Sequence, residues 1–477
     1  MAANYDLKDL QNWDARIREK VEEFGLDCFP QEFEVCDHHQ MLTAMAYSGM
    51  PSHYPHWSYG KSYERQKTMY DHGVSGLPYE MVINSDPSIA YLMSDNSLCL
   101  QILTIAHVYG HNDFFKNNYT FHHIRAEHVV GQFKSHADRV RNYVESPSIG
   151  EEKVERWLDA AHALSFQCRR NAGVRKLGRA DQEDWLYRKS QPPHDPFKAI
   201  HKPVDREEPD LHKLPLEPEQ DLLLFIRDYN PRLEDWQRDI LTIVHDEAMY
   251  FLPQIETKTI NEGWACYWHR AIMNALELPS DIHLEFLVRH NQVVRPTPGS
   301  INPYNLGLNL WDDIERRYTD PTPAEAELIN DIGKPAREKL FEIRETDRDV
   351  SFLRRFLTEE CMRKADLFEH QKKGNERVIT KVSDEENWAD VKETLLHYTG
   401  TGGMPVISII DADCDGARTM LLRHEFDGRE LQMEYAERAL HYLHHLWGRK
   451  VVLETRLQEE EILWTYGDDG FGQQSVH

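Results

Sequence analysis

A mainly α fold is predicted, with a large helical domain over residues 1–374 and a small α+β domain over 375–477. Three observations carry this prediction. Apolar residues recur at helical spacing near the start, at Leu10, Trp13, Ile17, Val21 and Phe24, with charges between them. The same periodicity returns in "DLLLFIRDYNPRLEDWQRDILTIVHDEAMYF" and runs on to about Gly374. Beyond Gly374 the pattern changes to short β-like runs, "PVISIIDAD", "RTMLLRHEF", "KVVLETRL" and "EILWTYG".

Taken in order, the chain opens with an amphipathic helix over 7–25. A second helical stretch is expected over "FEVCDHHQMLTAMAYSG", ending at Gly49. "MPSHYPHWSYGK" then reads as an aromatic, histidine-rich loop, because two prolines and a glycine break the period. A helix near Tyr63 to His72, an extended "YEMVINSDP" and an apolar helix near Asn96 to Tyr109 follow. Between about 183 and 219 the prolines and charges of "SQPPHDPFKAIHKPVDREEPDLHKLPLEPEQ" predict an extended arm. In the C-terminal part "DGR" reads as a hairpin turn, and "QMEYAERALHYLHHLWG" as a helix closed by Gly448.

Composition narrows the function classes. Hydrophobic content of 40% is that of a globular chain, and no stretch approaches the ~20 apolar residues needed to span a bilayer. With 55 basic against 81 acidic residues, the net charge of −26 opposes binding to nucleic acid or anionic membrane. The N-terminal segment shows no basic stretch followed by an apolar one, so a cytoplasmic location is expected. The seven cysteines are scattered without a CxxC pair, as expected of reduced thiols. The 26 histidines supply many candidate metal ligands.

Two segments carry the chemistry. In "AHVYGHNDFF", His107 and His111 are four residues apart, which on a helix places both imidazoles on one face, able to chelate one cation. Gly110 between them weakens that helix by about 1 kcal/mol relative to alanine. In "TINEGWACYWH", the spacing of Glu262, Cys266 and His269 puts all three on one helical face. "DADCDG" starts like a calcium loop, but Leu422 stands where the twelfth-position glutamate belongs, so it reads as a turn. In "RPTPGSINPYNLG", Arg295, Asn302 and Gly307 read as structural.

"INEGWA" resembles the "NEGFA" helix of gluzincin aminopeptidases, which implies zincin-like metal-site helices with Glu262 as a metal ligand. In those enzymes an HExxH helix lies upstream; here "IVHDEAMYF" has His245 and Glu247 in place but Met249 at the second histidine position. His107 and His111 would supply the missing imidazoles from another helix. The expected site therefore has His107, His111 and Glu262 as ligands of zinc or another divalent transition metal, with Glu247 as general base. His269 would be a fourth ligand or an acid stabilising an oxyanion, and His56, Trp57, Lys61 and Tyr250 would line the substrate pocket.

"EFEVCDHHQMLTAMAYSGMPSHYPHWSYGK", "YEMVINSDPSIAYLM", "HVYGHNDFFKNN" and the segment from "LEDWQRDIL" through "INEGWACYWH" together resemble the SpoVR-like family, named for stage V sporulation protein R. That resemblance implies a link to spore cortex formation and partners in a PrkA-type serine kinase pathway. It supplies no biochemical activity. The residues themselves point to a zincin-like hydrolase of amide or peptide bonds. The alternative is a non-enzymatic regulator or scaffold of the kinase pathway, in which the same groups form a structural metal site or a polar network.

Overall fold

The computed structural model describes residues 5–475 apart from 74–77, 171–175, 192–209, 297–300, 329–330, 332, 366, 368, 374–375 and 382–386. These residues are mainly helical and form two compact units that interleave along the chain. One comprises Met1–Arg141 and Pro253–Gly403, the other Asn142–Leu252 and Met404–His477. The domain boundary expected near Gly374 falls outside the described residues and stays a proposal about independently folding pieces.

The first unit is built on two helices buried on nearly every side, Leu98–Asn117 and Lys258–Ala275. A helix apolar all round belongs in a core rather than on a surface, and these two pack against each other with Pro303–Thr319 on the far side of the second. Their shared core includes Leu103, Ala106, Phe114, Ile260, Trp264, Trp268 and Trp311. Two glycines let the backbones meet. A Cβ on Gly110 would lie 2.6 Å from Ala265 Cα, and one on Gly263 would lie 2.5 Å from Gly307 Cα. The helical weakness of Gly110 is therefore the condition for a close crossing beside His107 and His111.

Polar groups fix the register of that crossing. The Trp264 indole donates to Asp113 Oδ2 at 2.8 Å, and Arg344 pairs with Asp113 Oδ1 at 3.0 Å. Ser97 caps the first helix by accepting from Leu100 N–H. The second helix takes its cap from a distant residue: Asp349 accepts from the backbone N–H groups of Thr259 and Ile260, at 2.9 and 2.8 Å. Burial pushes the Asp349 carboxyl up to about 7, against the hydrogen bonds that favour its charged form.

A three-stranded sheet lies beside these helices, with Ser88–Met93 between Gln31–Cys36, to which it is parallel, and Glu80–Ile83, to which it is antiparallel. The expected helix over residues 33–49 is thus corrected in its first part: "FEVC" is strand, and helix begins at His38 behind an Asp37 capping box. Pairing with a segment far along the chain overrode the local pattern. The expected loop over 50–61 is also corrected, because its second half is the first turn of the helix Trp57–Asp71.

In the second unit a five-stranded sheet runs in the order Gly470–Ser475, Glu460–Gly467, Val451–Leu457, Met420–His424, Ile407–Asp411. Met420–His424 and Val451–Leu457 are parallel and are joined through the helix Met433–Trp447, which ends at Gly448 in the left-handed conformation. The "DGR" turn therefore leads from strand into helix and makes no hairpin; hairpins join Val451–Leu457 to Glu460–Gly467 and Glu460–Gly467 to Gly470–Ser475. Residues 192–209 of the expected arm lie outside the described residues. Its beginning is corrected, since Arg179–Ser190 is helical. Among the described residues no helix is long and apolar enough to cross a membrane.

Candidate metal centre

His107 and His111 project from one face of Leu98–Asn117 toward Glu262 on Lys258–Ala275, and all three are buried. His107 Nε2 and His111 Nε2 lie 3.4 and 3.3 Å from the same oxygen, Glu262 Oε2. Their ligand atoms fall within 4.8 Å of one another, as three donors around one cation require. Residues more than 150 positions apart converge because Gly110, set against Ala265, brings the two backbones together immediately beside them.

The remaining atoms of these side chains are already engaged. His111 Nδ1 is 2.9 Å from Asn261 Oδ1; the amide oxygen can only accept, so Nδ1 carries a proton, and although burial lowers the ring's pKa, Glu262 and Asn261 outweigh it and raise it, so a cation at Nε2 would take the place of a proton there. Lys258 Nζ holds Glu262 Oε1 at 2.5 Å. Burial alone would raise the Glu262 carboxyl, yet Lys258 and His111 outweigh it and hold the group well below its ordinary range, as a carboxylate. Burial pushes His107 down to about 4, which keeps it a neutral donor. His107 Nε2 and Glu262 Oε2 are buried without a hydrogen-bond partner. Two orphaned lone-pair atoms facing a third donor, in an N, N, O set, fit a divalent transition metal.

A second grouping, His107 with Cys266 and His269, is geometrically close. Its chemistry differs. Burial raises the Cys266 thiol well above its ordinary value, so it is protonated, and the space between the two rings is taken by a 2.9 Å His107 Nδ1 to His269 Nδ1 hydrogen bond.

The other sequence-derived candidates have surroundings of their own. His56 caps the helix Trp57–Asp71, its Nδ1 2.7 Å from Ser58 Oγ, while Lys61 lies over the Trp57 ring; these partners are local. Glu247 and Tyr250 are buried on the helix Asp235–Glu256 in the second unit. His245, half-buried on the same helix, has its Nε2 3.0 Å from Asp221 Oδ2 in an ion pair. The cluster itself is assembled wholly inside the first unit.

Several residues around the cluster escaped the sequence reading. Lys258 and Asn261 precede Glu262 on its own helix, and the one-turn spacing of Lys258 from Glu262 was the available signal. Tyr304, in "INPYNLG", has its hydroxyl held protonated by the neighbouring Glu262 charge and by burial. Half-buried Glu80, on the strand Glu80–Ile83, is pushed up to about 7 by burial, while His111 and Lys258 oppose the rise. His290, on Ser280–Val293, contacts His269 and has no local motif at all.

A family model described as SpoVR like protein matches residues 4–404, and one described as SpoVR-like C-terminal domain matches residues 405–458. A relative from Escherichia coli (strain K12), the uncharacterized protein YcgB, is 34% identical over 486 residues, covering 96% of this chain and 93% of that protein. No solved structure matches the chain.

Proposed function

The chain belongs to the SpoVR-like family, and from that premise and the cluster's geometry we propose a zincin-like, metal-dependent hydrolase acting on an amide or peptide bond. The observation that carries this reading is the pair of orphaned buried atoms, His107 Nε2 and Glu262 Oε2, beside His111 Nε2. His107, His111 and Glu262 would hold the ion, zinc being the first expectation for two imidazoles and a carboxylate. When bound, it supplies a Lewis acid that polarises a carbonyl and acidifies water.

The chain's own groups complete the proposal. Asn261 holds His111 in the tautomer that presents Nε2. Lys258 neutralises the outer oxygen of Glu262, leaving Oε2 for the ion. Tyr304, kept protonated next to Glu262, is a hydrogen-bond donor for a developing oxyanion. Glu247 was expected to accept the proton; the role is proposed here for Glu80, a carboxyl of the first unit coupled electrostatically to His111 and Glu262. Zincin-like describes the ligand arrangement alone.

One observation favours the competing reading, a non-enzymatic regulator or scaffold in a PrkA-type kinase pathway: the Lys258–Glu262 ion pair lets the cluster stand as a buried polar network without an ion. Elemental analysis of untagged protein separates the two. Stoichiometric zinc, iron or manganese in wild type that is lost in Glu262→Gln supports the metal centre. Equal, negligible metal in both, with no uptake of added zinc, supports the network.

A further inference from the structure

We infer that His269 and His290 are positioning residues for this centre: the buried chain His107–His269–His290 sets the tautomer of His107 and so decides whether its Nε2 is open to a cation. The inference rests on the metal-binding reading above and extends it to a third helix. His107 Nδ1 lies 2.9 Å from His269 Nδ1, and His269 Nε2 lies 2.8 Å from His290 Nδ1. His269 is fully buried, and His107 and His290 are 3% and 8% exposed.

A neutral imidazole carries one N–H and one lone pair, so each of these contacts holds a single proton and the three rings are locked to one another. Only two arrangements satisfy both hydrogen bonds. In the outward one, His107 Nδ1–H donates to His269 Nδ1, His269 Nε2–H donates to His290 Nδ1, and His290 carries its proton on Nε2. His107 Nε2 then has a free lone pair. In the inward one, His290 Nδ1–H donates to His269 Nε2 and His269 Nδ1–H donates to His107 Nδ1. His107 then carries its proton on Nε2, aimed at Glu262 Oε2 3.4 Å away, and is closed to a cation. Passing from inward to outward releases one proton at His107 Nε2 and takes one up at His290 Nε2, so the three rings stay neutral throughout.

A ligating histidine is ordinarily oriented by a carboxylate or carbonyl, which accepts and cannot donate. His111 follows that rule through Asn261. His107 departs from it, because its partner is an imidazole able to run in either direction. The end of the chain therefore matters: the acceptor atom His290 Nδ1, supplied by Ser280–Val293, is what holds the outward arrangement.

Zinc affinity by competition with a chromogenic chelator, and the cobalt(II) absorption spectrum, would be measured on full-length wild type, His290→Leu and His290→Asn. His290→Leu removes the acceptor, and zinc binding is expected to weaken about 10–100-fold with an altered cobalt spectrum. Asparagine Oδ1 occupies the place of Nδ1 and accepts from His269 Nε2–H, so His290→Asn should restore most of the affinity and the wild-type spectrum. Wild-type affinity and spectrum in His290→Leu, or an Asn variant as weak as the Leu variant, would overturn the inference while leaving the metal centre intact. If His290→Leu does not fold, His290→Gln replaces it, because its longer amide misplaces the oxygen; equal zinc affinities of the Asn and Gln variants would then overturn the inference. Wild type that takes up neither zinc nor cobalt removes the metal centre and the tautomer chain together.

Discussion

Gly263→Ala tests whether the close approach of Lys258–Ala275 to Pro303–Thr319 holds Glu262 in place at the centre. The new Cβ would sit 2.5 Å from Gly307 Cα and 2.8 Å from Gly307 O, where carbon atoms ordinarily keep about 3.5–4.0 Å apart. Both obstacles are backbone, so no side-chain rotation relieves them and the helices must separate by about 1 Å. Overpacking of this kind costs ~1–3 kcal/mol, against a gain of up to about 1 kcal/mol from alanine's better helix propensity. The net expectation is a loss of roughly 1–2 kcal/mol, or several degrees in Tm. Glu262 is the preceding residue, so any shift of Lys258–Ala275 that relieves the clash displaces the carboxylate from its present register with His107 and His111, and metal content should fall. Gly131→Ala is the control: the same chemical change in the helix Val129–Glu145, where a Cβ meets nothing within 4 Å, should be neutral or stabilising. Differential scanning fluorimetry and metal analysis on both variants decide the matter. A Gly263→Ala protein that melts with wild type and keeps its metal would refute the packing account.

Further expectations concern single groups. Glu80→Gln should keep the metal and abolish turnover of whichever amide or peptide the wild type cleaves, whereas Glu247→Gln should leave turnover unchanged; the reverse pattern restores the base role to Glu247. Cys266→Ser should retain the metal, since the thiol is held protonated by burial; metal loss in that variant would bring Cys266 into the ligand set. For His245, burial lowers the pKa, but hydrogen bonds to Asp221 and Asp246 outweigh it and raise the group to about 9. A folded-state value above the ordinary ~6.5 means stabilisation that is fully present below pH ~6.5 and fades as the pH climbs through about 9, at most about 3 kcal/mol. Urea unfolding of wild type and Asp221→Asn should therefore show a large difference at pH 6 that shrinks by pH 9.5; a pH-independent difference would exclude the ion pair as its source.

Local pattern was enough wherever the determining forces act within a few turns. The opening helix, the Gly448 stop and the shared helical face of His107 and His111 follow from a period of 3.6 residues and the freedom of glycine at positive φ. The likeness of "INEGWA" to a metal-site helix likewise singled out Glu262, which the fold places beside both histidines. Other features depend on partners far away in the chain. "FEVC" is strand because Ser88–Met93 lies alongside it, and Lys258–Ala275 begins where Asp349 reaches its N–H groups. Gly110 looked like a defect until Ala265 was found against it. The tautomer chain is the extreme case: His269 and His290 are 21 residues apart on different helices, and no periodicity joins them to His107. Hydrogen bonds and close packing are set by distances of a few ångströms, and sequence separation carries no information about those once the chain has turned back on itself.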